Sequence, residues 1–318
     1  MSEDMIFPVS EAVLSNLERL SREESIIGEQ RILELYDIAL PAVKASAQLL
    51  DDGLESYEML SVISEGLAFG DYSVSDDTSP EYRARITKSL DTLSRMDKAL
   101  FTELYAEGLA SLGRPITERD LLPSFSGAET FTYVRNSFSD EAYDVFSQDF
   151  DDPKVRYSKS FKDSAQAVST GEVTYCLLPL EEKGGARLPT VSEIIFRNDF
   201  KINSVIPVFG PDGNADMKYA LVSKSFTVPE RMKDDDLYLE IRIGATGDTT
   251  LAEVFGAVDY FGMSVYRVNT VTFDTEGEEE TYFSVVIKDL GNSFASLLIY
   301  FTLFVRDFTP VGIYKNLE

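Results

Sequence analysis

The fold is decided by residues 160–202, which read SFKDSAQAVSTGEVTYCLLPLEEKGGARLPTVSEIIFRNDFKI. The apolar spacing from Phe161 to Ser169 predicts a helix, and a glycine-acid turn then leads into VTYCLLPL, which is typical of a buried strand. The loop EEKGG ends this strand, and Thr190 to Arg197 again has helical spacing. Open α/β sheets bind ligands at such strand-end loops. By its residues alone, the loop is more typical of a plain solvated turn, with a ligand site as the alternative.

Two further strands and a short connection follow this segment. The runs from Ile202 to Val208 and from Tyr219 to Val222 are strand-like, and the eight residues from Phe209 to Asp216 between them are mostly turn formers. This spacing predicts a direct hairpin. Because strands and helices alternate on both sides of the segment, residues 120–228 are predicted to form one α/β lobe.

Residues 1–115 have the pattern of an all-α region. Apolar residues recur at helical spacing up to Pro41, which is predicted to end or kink its helix. Further helices are predicted before Gly70 and after Pro80, and Gly113 is predicted to stop the last of them. Together these helices are predicted to form a bundle.

Residues 235–318 have the most regular order. Two helical runs, from Thr249 to Phe261 and from Ser293 to Val305, alternate with the strand-like runs LYLEIRIG, SVYRVNTVTF, TYFSVVIKD and TPVGIYKN. The order strand, helix, strand, strand, helix, strand predicts a ferredoxin-like α+β fold. Such an order predicts a fold and no activity.

The charge balance and two rare residue types limit the classes of function. The chain has 55 acidic against 29 basic residues, a formal net charge of −26, which disfavours nucleic acids and anionic membranes as partners. It has no histidine, so the most common proton-transfer side chain is missing. The single cysteine, Cys176, lies in an apolar run and is expected to be a buried hydrophobe, and it allows neither an internal disulfide nor a cysteine-based zinc site.

The sequence also lacks the signals of membrane insertion or secretion. No apolar stretch reaches the roughly 18 residues that a membrane span needs. The first residues, MSEDMIFPVSEAVLS, are acidic where a secretory signal is basic. We therefore expect a cytoplasmic protein, and nothing in the residue pattern calls for a metal or another cofactor.

Residues 160–202 and their flanks resemble prephenate dehydratase, the enzyme of phenylalanine biosynthesis. The resemblance rests on the spacing of the helix, glycine turn, strand and glycine loop, and on these residues: Phe161, Ala167, Val168, Gly171, Pro179, Leu180, Glu181, Gly185, Lys201 and Ile202. Upstream, SFSGAETFTYV is similar to the family's glycine-rich first loop, with Thr130 and Phe131 retained.

The resemblance implies an identity for each of the three regions. Residues 120–228 would be the first lobe of the family's periplasmic-binding-protein-like fold. Residues 235–318 would be its ACT regulatory domain. Residues 1–115 stand in the chorismate-mutase position of bifunctional relatives.

Several family features are altered in this chain. Phe209 to Asp216 stand where the family inserts a complete second lobe, and the family's threonine-arginine-phenylalanine triplet is replaced by Met217, Lys218 and Tyr219. A thioether cannot supply the hydrogen bond or the proton of a threonine hydroxyl, and lysine lacks arginine's two-pronged grip on a carboxylate. The resemblance therefore implies no catalytic residue.

Two sets of candidate binding residues remain. The resemblance implies ligand binding, in the lobe and in the ACT-like unit, by Thr130, Phe131, Glu181, Lys218, Thr249, Thr250, Leu251 and Asn269. The helical spacing of Arg85, Lys88 and Arg95 places them on roughly one face, which is typical of ordinary solvent-facing charges, with a mutase-type pocket lining as the alternative.

These features predict a catalytically degenerate, prephenate-dehydratase-like protein that senses a ligand or regulates phenylalanine biosynthesis. The expected ligand is an aromatic amino acid or a pathway intermediate, and the expected assembly is a homodimer through the ACT-like unit. Two alternatives stay open. One is an active enzyme, with chorismate mutase activity in the N-terminal helices or residual prephenate dehydratase activity, and the other is a purely structural dimerising protein.

Overall fold

The computed structural model describes residues 11–69, 93–124, 127–210, 215–229, 236–247, 249–275 and 278–315. Within these ranges the chain is a mixed α/β protein with one five-stranded and one four-stranded sheet. No helix in these ranges combines the length and the apolarity that are needed to cross a bilayer.

The described N-terminal part is helical. Its elements are α1 Glu11–Asp51, α2 Ser56–Phe69, α3 Arg95–Ser111 and the single turn α4 Glu118–Leu121. Pro41 lies inside α1, so of the predicted end or kink the helix end is wrong. Proline removes one helical hydrogen bond, but Ile38, Ala42 and Val43 around it are buried, and their packing holds the helix together.

Helix α3 begins and ends at signals that are visible in the sequence. The Ser94 hydroxyl accepts a hydrogen bond from the Asp97 amide, and the Asp97 carboxylate accepts one from the Ser94 amide. Gly113, at a φ of +75°, follows the last turn, as predicted. The helix start predicted after Pro80 lies outside the described residues.

The five-stranded sheet has the order β2-β1-β3-β5-β4. Its elements along the chain are β1 Thr130–Val134, α5 Ser137–Phe146, a 3-10 turn Ser147–Asp149, β2 Lys154–Ser158, α6 Phe161–Ser169, β3 Tyr175–Glu182, α7 Pro189–Arg197, β4 Lys201–Phe209 and β5 Ala215–Ser223. Strand β1 is parallel to β2 and β3, whereas β5 is antiparallel to both of its neighbours. The alternating α/β pattern predicted for this region is present.

The hairpin predicted after Ile202 is also present. Strands β4 and β5 pair from Lys201 opposite Ser223 to Phe209 opposite Ala215. The pairing therefore continues to the ends of both strands. No second lobe separates these two strands.

The four-stranded sheet has the order β7-β8-β6-β9, with every neighbouring pair antiparallel. Its elements are β6 Leu237–Gly244, α8 Leu251–Tyr260, β7 Ser264–Thr275, β8 Glu278–Lys288, α9 Ala295–Phe304 and β9 Phe308–Lys315. This is the strand and helix order that the sequence predicts. The assignment of the unit as an ACT domain remains a prediction.

The C-terminal sheet is covered on both faces. On one face, Leu239 and Ile241 share a hydrophobic core with α8, α9 and the N-terminal helices. On the other face, Tyr238 and Tyr314 share a core with Ile202 and its neighbours in the five-stranded sheet. Successive residues of a strand point to opposite faces. The polar residues of LYLEIRIG therefore face the central lobe.

Candidate functional site

Four charged side chains meet where strand β3 ends against the C-terminal sheet. The Arg187 Nη2 atom lies 2.5 Å from Glu240 Oε2, and the Arg267 Nη1 atom lies 2.6 Å from Glu181 Oε1. The Arg187 Nε atom lies 3.6 Å from the same Glu181 oxygen, which connects the two pairs. The side chains of Glu240, Arg187 and Glu181 are 0%, 7% and 9% exposed, so these charges are paired away from water.

The loop after β3 places two of these residues. Glu181 forms an isolated bridge with Arg187, so the chain turns back on itself between them. Gly184 and Gly185 make this turn at φ values of +91° and +82°, which side chains with a Cβ atom rarely adopt. The Gly185 carbonyl accepts a hydrogen bond of 2.9 Å from Arg267 Nη1, so the backbone of the loop also contacts the C-terminal sheet.

Glu240 is held by three hydrogen bonds at the centre of the cluster. Besides Arg187, the Ser284 hydroxyl donates to Oε1 at 2.8 Å and the Tyr314 hydroxyl donates to Oε2 at 2.9 Å. Burial and the nearby Glu240 charge hold the pKa of Tyr314 well above its usual value, so it stays a neutral donor. Burial is the largest single effect on Arg187 and lowers its pKa, but the charges of Glu240, Tyr314 and Glu181 and the hydrogen bond to Glu240 together outweigh it, so the net pKa is raised.

Two more contacts continue this interface between the sheets. The Lys201 ammonium donates to Asp199 Oδ1 at 2.7 Å and to the Pro310 carbonyl at 3.3 Å, and burial lowers its pKa. Arg242 on β6 donates to the Phe196 carbonyl at 2.7 Å and lies over the Phe196 ring. Charged side chains thus tie the central lobe to the C-terminal sheet at several points.

The cluster leaves little room for a ligand. The cavity beside it, lined by Glu181, Tyr238, Arg267 and Tyr314 among others, has a volume of about 10 Å³. That volume is close to the space of one water molecule. The two arginines and two glutamates also balance each other in charge. The arrangement is therefore suited to hold the two sheets together.

A larger space lies between α6 and α7. This groove has a volume of about 520 Å³, which is in the range of small-molecule sites. Phe161, Ala165 and Ile194 supply apolar lining. Lys162 supplies positive charge, and Arg197 is paired with Glu193, which also lines the groove, at 2.8 Å. In the described part of the chain, no group of three or more acidic or cysteine side chains lies close enough to hold a metal ion.

The predicted site residues of the central lobe fall into separate places. Glu181 belongs to the charge cluster, and Lys218 and Met217 lie beside it on β5, opposite Glu181 and Glu182 in the strand register. Thr130 lies at the start of β1, where its backbone and hydroxyl contact Thr174, at the opposite end of the sheet from Glu181.

Two aromatic residues of the predicted set are part of the core. Phe131 is fully buried, with its ring centre 4.8 Å from that of Phe150. Tyr219 is 2% exposed, and burial raises the pKa of its hydroxyl. Neither side chain is open to a ligand in this structure.

The predicted residues of the C-terminal unit lie on both faces of its sheet. Asn269 is opposite Ser284, on the face that carries the charge cluster, and its Nδ2 atom has no acceptor among the described residues. Thr249, Thr250 and Leu251 lie at the start of α8, on the other face, where the Thr250 hydroxyl caps the helix.

The predicted mutase-type pocket is described in part only. Arg85 and Lys88 lie outside the described residues. Arg95 donates to the Ala252 carbonyl at 3.2 Å and covers Gly256 on α8. In this structure Arg95 therefore contacts the C-terminal unit.

Sequence reasoning missed Arg187, Glu240 and Arg267. For Glu240 and Arg267, the available signal was the charge inside the strand-like runs LYLEIRIG and SVYRVNTVTF. Alternating polar residues in a strand usually face water, and only the packing of the central lobe on this face makes them buried partners.

Comparisons with known proteins give a partial likeness. No family model matches the sequence, and no curated protein matches it. Among solved structures, prephenate dehydratase from Streptococcus mutans aligns at a TM-score of 0.46 and 13% identity, over 59% of this chain and 99% of that one. At this identity and TM-score the alignment assigns neither a family nor an activity.

Two further solved structures have similar scores. Prephenate dehydratase from Arthrobacter aurescens, in complex with L-Phe, aligns at a TM-score of 0.44 and 12% identity, over 58% of this chain and 89% of that one. A protein described as GqqA, a novel type of quorum-quenching acylase, aligns at a TM-score of 0.43 and 16% identity, over 59% of this chain and 96% of that one.

Proposed function

We propose that this protein is a non-catalytic relative of prephenate dehydratase that binds an aromatic amino acid or a related pathway intermediate and acts in regulation. The observation that carries the proposal is the closed cluster of Glu181, Arg187, Glu240 and Arg267. It occupies the strand-end loop where a ligand was expected from the sequence.

The contacts of the family's catalytic positions support the non-catalytic half of this proposal. Glu181 is engaged by Arg187 and Arg267, and the triplet position that carries the family's threonine hydroxyl is the thioether Met217. A thioether cannot donate the hydrogen bond or the proton that dehydration of prephenate requires. Direct closure of the β4–β5 hairpin also leaves these strands without an opposing lobe.

The groove between α6 and α7 supports the binding half. Its volume of about 520 Å³ suits an aromatic amino acid, with apolar lining for a ring and Lys162 for a carboxylate. Arg197 also donates to the Asp274 carbonyl on β7 and lies over the Phe273 ring. A ligand in this groove would therefore act on a helix that contacts the C-terminal sheet, which is a physical route for regulation.

The proposal keeps the homodimer through the C-terminal unit. Strand β7, with twelve residues from Ser264 to Thr275, is an edge of its sheet, and no strand pairs with its outer side in the described part of the chain. An open edge of this length is able to pair with a second strand.

The test combines turnover and binding on the full chain. Prephenate and chorismate consumption are measured first, and thermal unfolding is then followed with phenylalanine, tyrosine, prephenate or chorismate. We expect no turnover and a raised Tm with one of the four compounds. A ligand at 100 times its Kd adds about 2.7 kcal/mol to the free energy of unfolding.

Two tryptophan variants locate the binding site. Ile194→Trp fills the groove and is expected to abolish the ligand-induced shift, whereas Val145→Trp, on the exposed side of α5, is expected to keep it. Turnover of either substrate at an enzyme-like rate would reject the non-catalytic assignment. A Tm that none of the compounds changes would reject sensing and leave the structural, dimerising alternative.

A further inference from the structure

Strand β2 is an open edge of the five-stranded sheet. It pairs with β1 on one side, and no described residue pairs with it on the other. Val155 and Tyr157 are 37% and 48% exposed, although both are apolar or aromatic. An edge strand that also exposes such side chains is a candidate for pairing with another strand.

The direction of the β2 backbone groups follows from its parallel pairing with β1. The Lys154 amide donates to the Glu129 carbonyl at 2.8 Å, so Lys154 directs its backbone groups towards β1. In a parallel pair every second residue does the same, which assigns Arg156 and Ser158 to this side. The N–H and C=O groups of Val155 and Tyr157 therefore point outwards, and their side chains lie on one face of the sheet.

We propose that β2 pairs antiparallel with β2 of a second copy of this chain, about a two-fold axis at Arg156. In this register Val155 lies opposite Tyr157 of the second copy, and both residues have outward backbone groups. Each of the two equivalent pairs then exchanges two hydrogen bonds. The same pairs join the exposed apolar side chains on one face, which is the favourable aromatic and β-branched combination.

The charges near the axis are compatible with a second copy. Arg156 comes close to Arg156 of the second copy, but each is paired with its own Glu172 through Nη1 and Oε2 at 2.5 Å. Pro153, just before the strand, has no N–H and limits the pairing to this short segment. The net charge of −26 per chain opposes association, so screening salt strengthens the pairing.

The salt dependence of association distinguishes pairing between two copies from binding of an acidic extended segment of another protein. Such a segment would be attracted by Lys154 and Arg156, and salt would weaken its binding. The inference does not depend on the proposed function. That proposal uses the groove between α6 and α7 and the β7 edge of the C-terminal sheet, whereas this one uses the β2 edge of the five-stranded sheet.

Sedimentation equilibrium of the full chain tests the pairing at about 50 mM and about 500 mM salt. Val155→Pro removes only an outward N–H, so the β1–β2 pairing is kept while two of the four intermolecular hydrogen bonds are lost and the ring obstructs the edge. We expect at least about a ten-fold rise in the dissociation constant of the dimer. Val155→Thr keeps the N–H and is expected to associate like the wild type.

Circular dichroism and the Tm show whether the proline variant is folded. Val155→Lys is a second variant that is expected to weaken the pairing, because it replaces the exposed apolar side chain by a charged one. If β7 also pairs, the wild type forms an assembly larger than a dimer and Val155→Pro a dimer, so the variant still has the lower mass. Equal masses for the wild type, Val155→Pro and Val155→Lys would overturn the proposal. So would a wild type that stays monomeric, or association that weakens as salt is added.

Discussion

Removal of the Arg187 side-chain charge is the sharpest test of the buried cluster. In Arg187→Met, Glu240 remains fully buried and loses its only cationic partner among the described residues. Removing one member of a buried ion pair typically costs 3–5 kcal/mol, because an uncompensated charge is left behind. Ser284 and Tyr314 still donate hydrogen bonds to Glu240. We therefore expect a loss near the lower end, about 3 kcal/mol in the free energy of unfolding.

Urea unfolding at neutral pH measures this loss. Because the chain has no tryptophan, circular dichroism and tyrosine fluorescence are the suitable signals. Arg114→Met is the matched control: its partner is Asp51, and both side chains are about half exposed, so the expected loss is under about 1 kcal/mol.

A double variant separates the buried charge from lost packing. Glu240→Gln in the Arg187→Met background removes the stranded charge and keeps an acceptor for the remaining donors, so about half of the loss is expected to return. The reasoning is refuted if Arg187→Met costs no more than Arg114→Met, or if the two substitutions add without any recovery.

Three further predictions concern single residues. The hydrogen bond from Arg31 lowers the pKa of Asp97 from 3.8 to about 2. The ionised carboxylate therefore stabilises the fold above pH 3.8, and this stabilisation is lost as the pH falls towards 2. The urea midpoints of the wild type and Asp97→Asn should differ at neutral pH and converge in acid. Burial raises the pKa of the Cys176 thiol, so a thiol reagent should label it only after unfolding, and rapid labelling of the native chain would contradict this burial. Gly185 has a φ of +82°, and an added Cβ atom would lie 3.2 Å from the Arg267 guanidinium, whereas Gly171 has a similar φ and open space around it. Gly185→Ala should therefore lower the free energy of unfolding in urea by about 1 kcal/mol more than Gly171→Ala. Equal losses would show that the contact between the loop and Arg267 does not restrict this position.

Local patterns were sufficient for most elements of the fold. The helix from Phe161 to Ser169, the β4–β5 hairpin and the strand and helix order of the C-terminal unit follow from apolar spacing and turn residues, which act over a few neighbours. Strand β2 was not indicated, because its alternation of Val155 and Tyr157 with polar residues covers only five residues and the strand is largely exposed. Pro41 misled the helix assignment, because tertiary packing compensates for the missing hydrogen bond.

The sequence by itself determined which side chains carry charge. It also determined which positions differ from the resembled family, such as Met217, whose thioether replaces a threonine hydroxyl. It also pointed to Glu181 and to the loop that follows it. Only the tertiary structure decided what they contact, since Glu240 and Arg267 lie 53 and 86 residues from their partners Arg187 and Glu181. The physical reason is burial: a charge in a strand faces water or a partner according to what covers the sheet, and here the central lobe covers it.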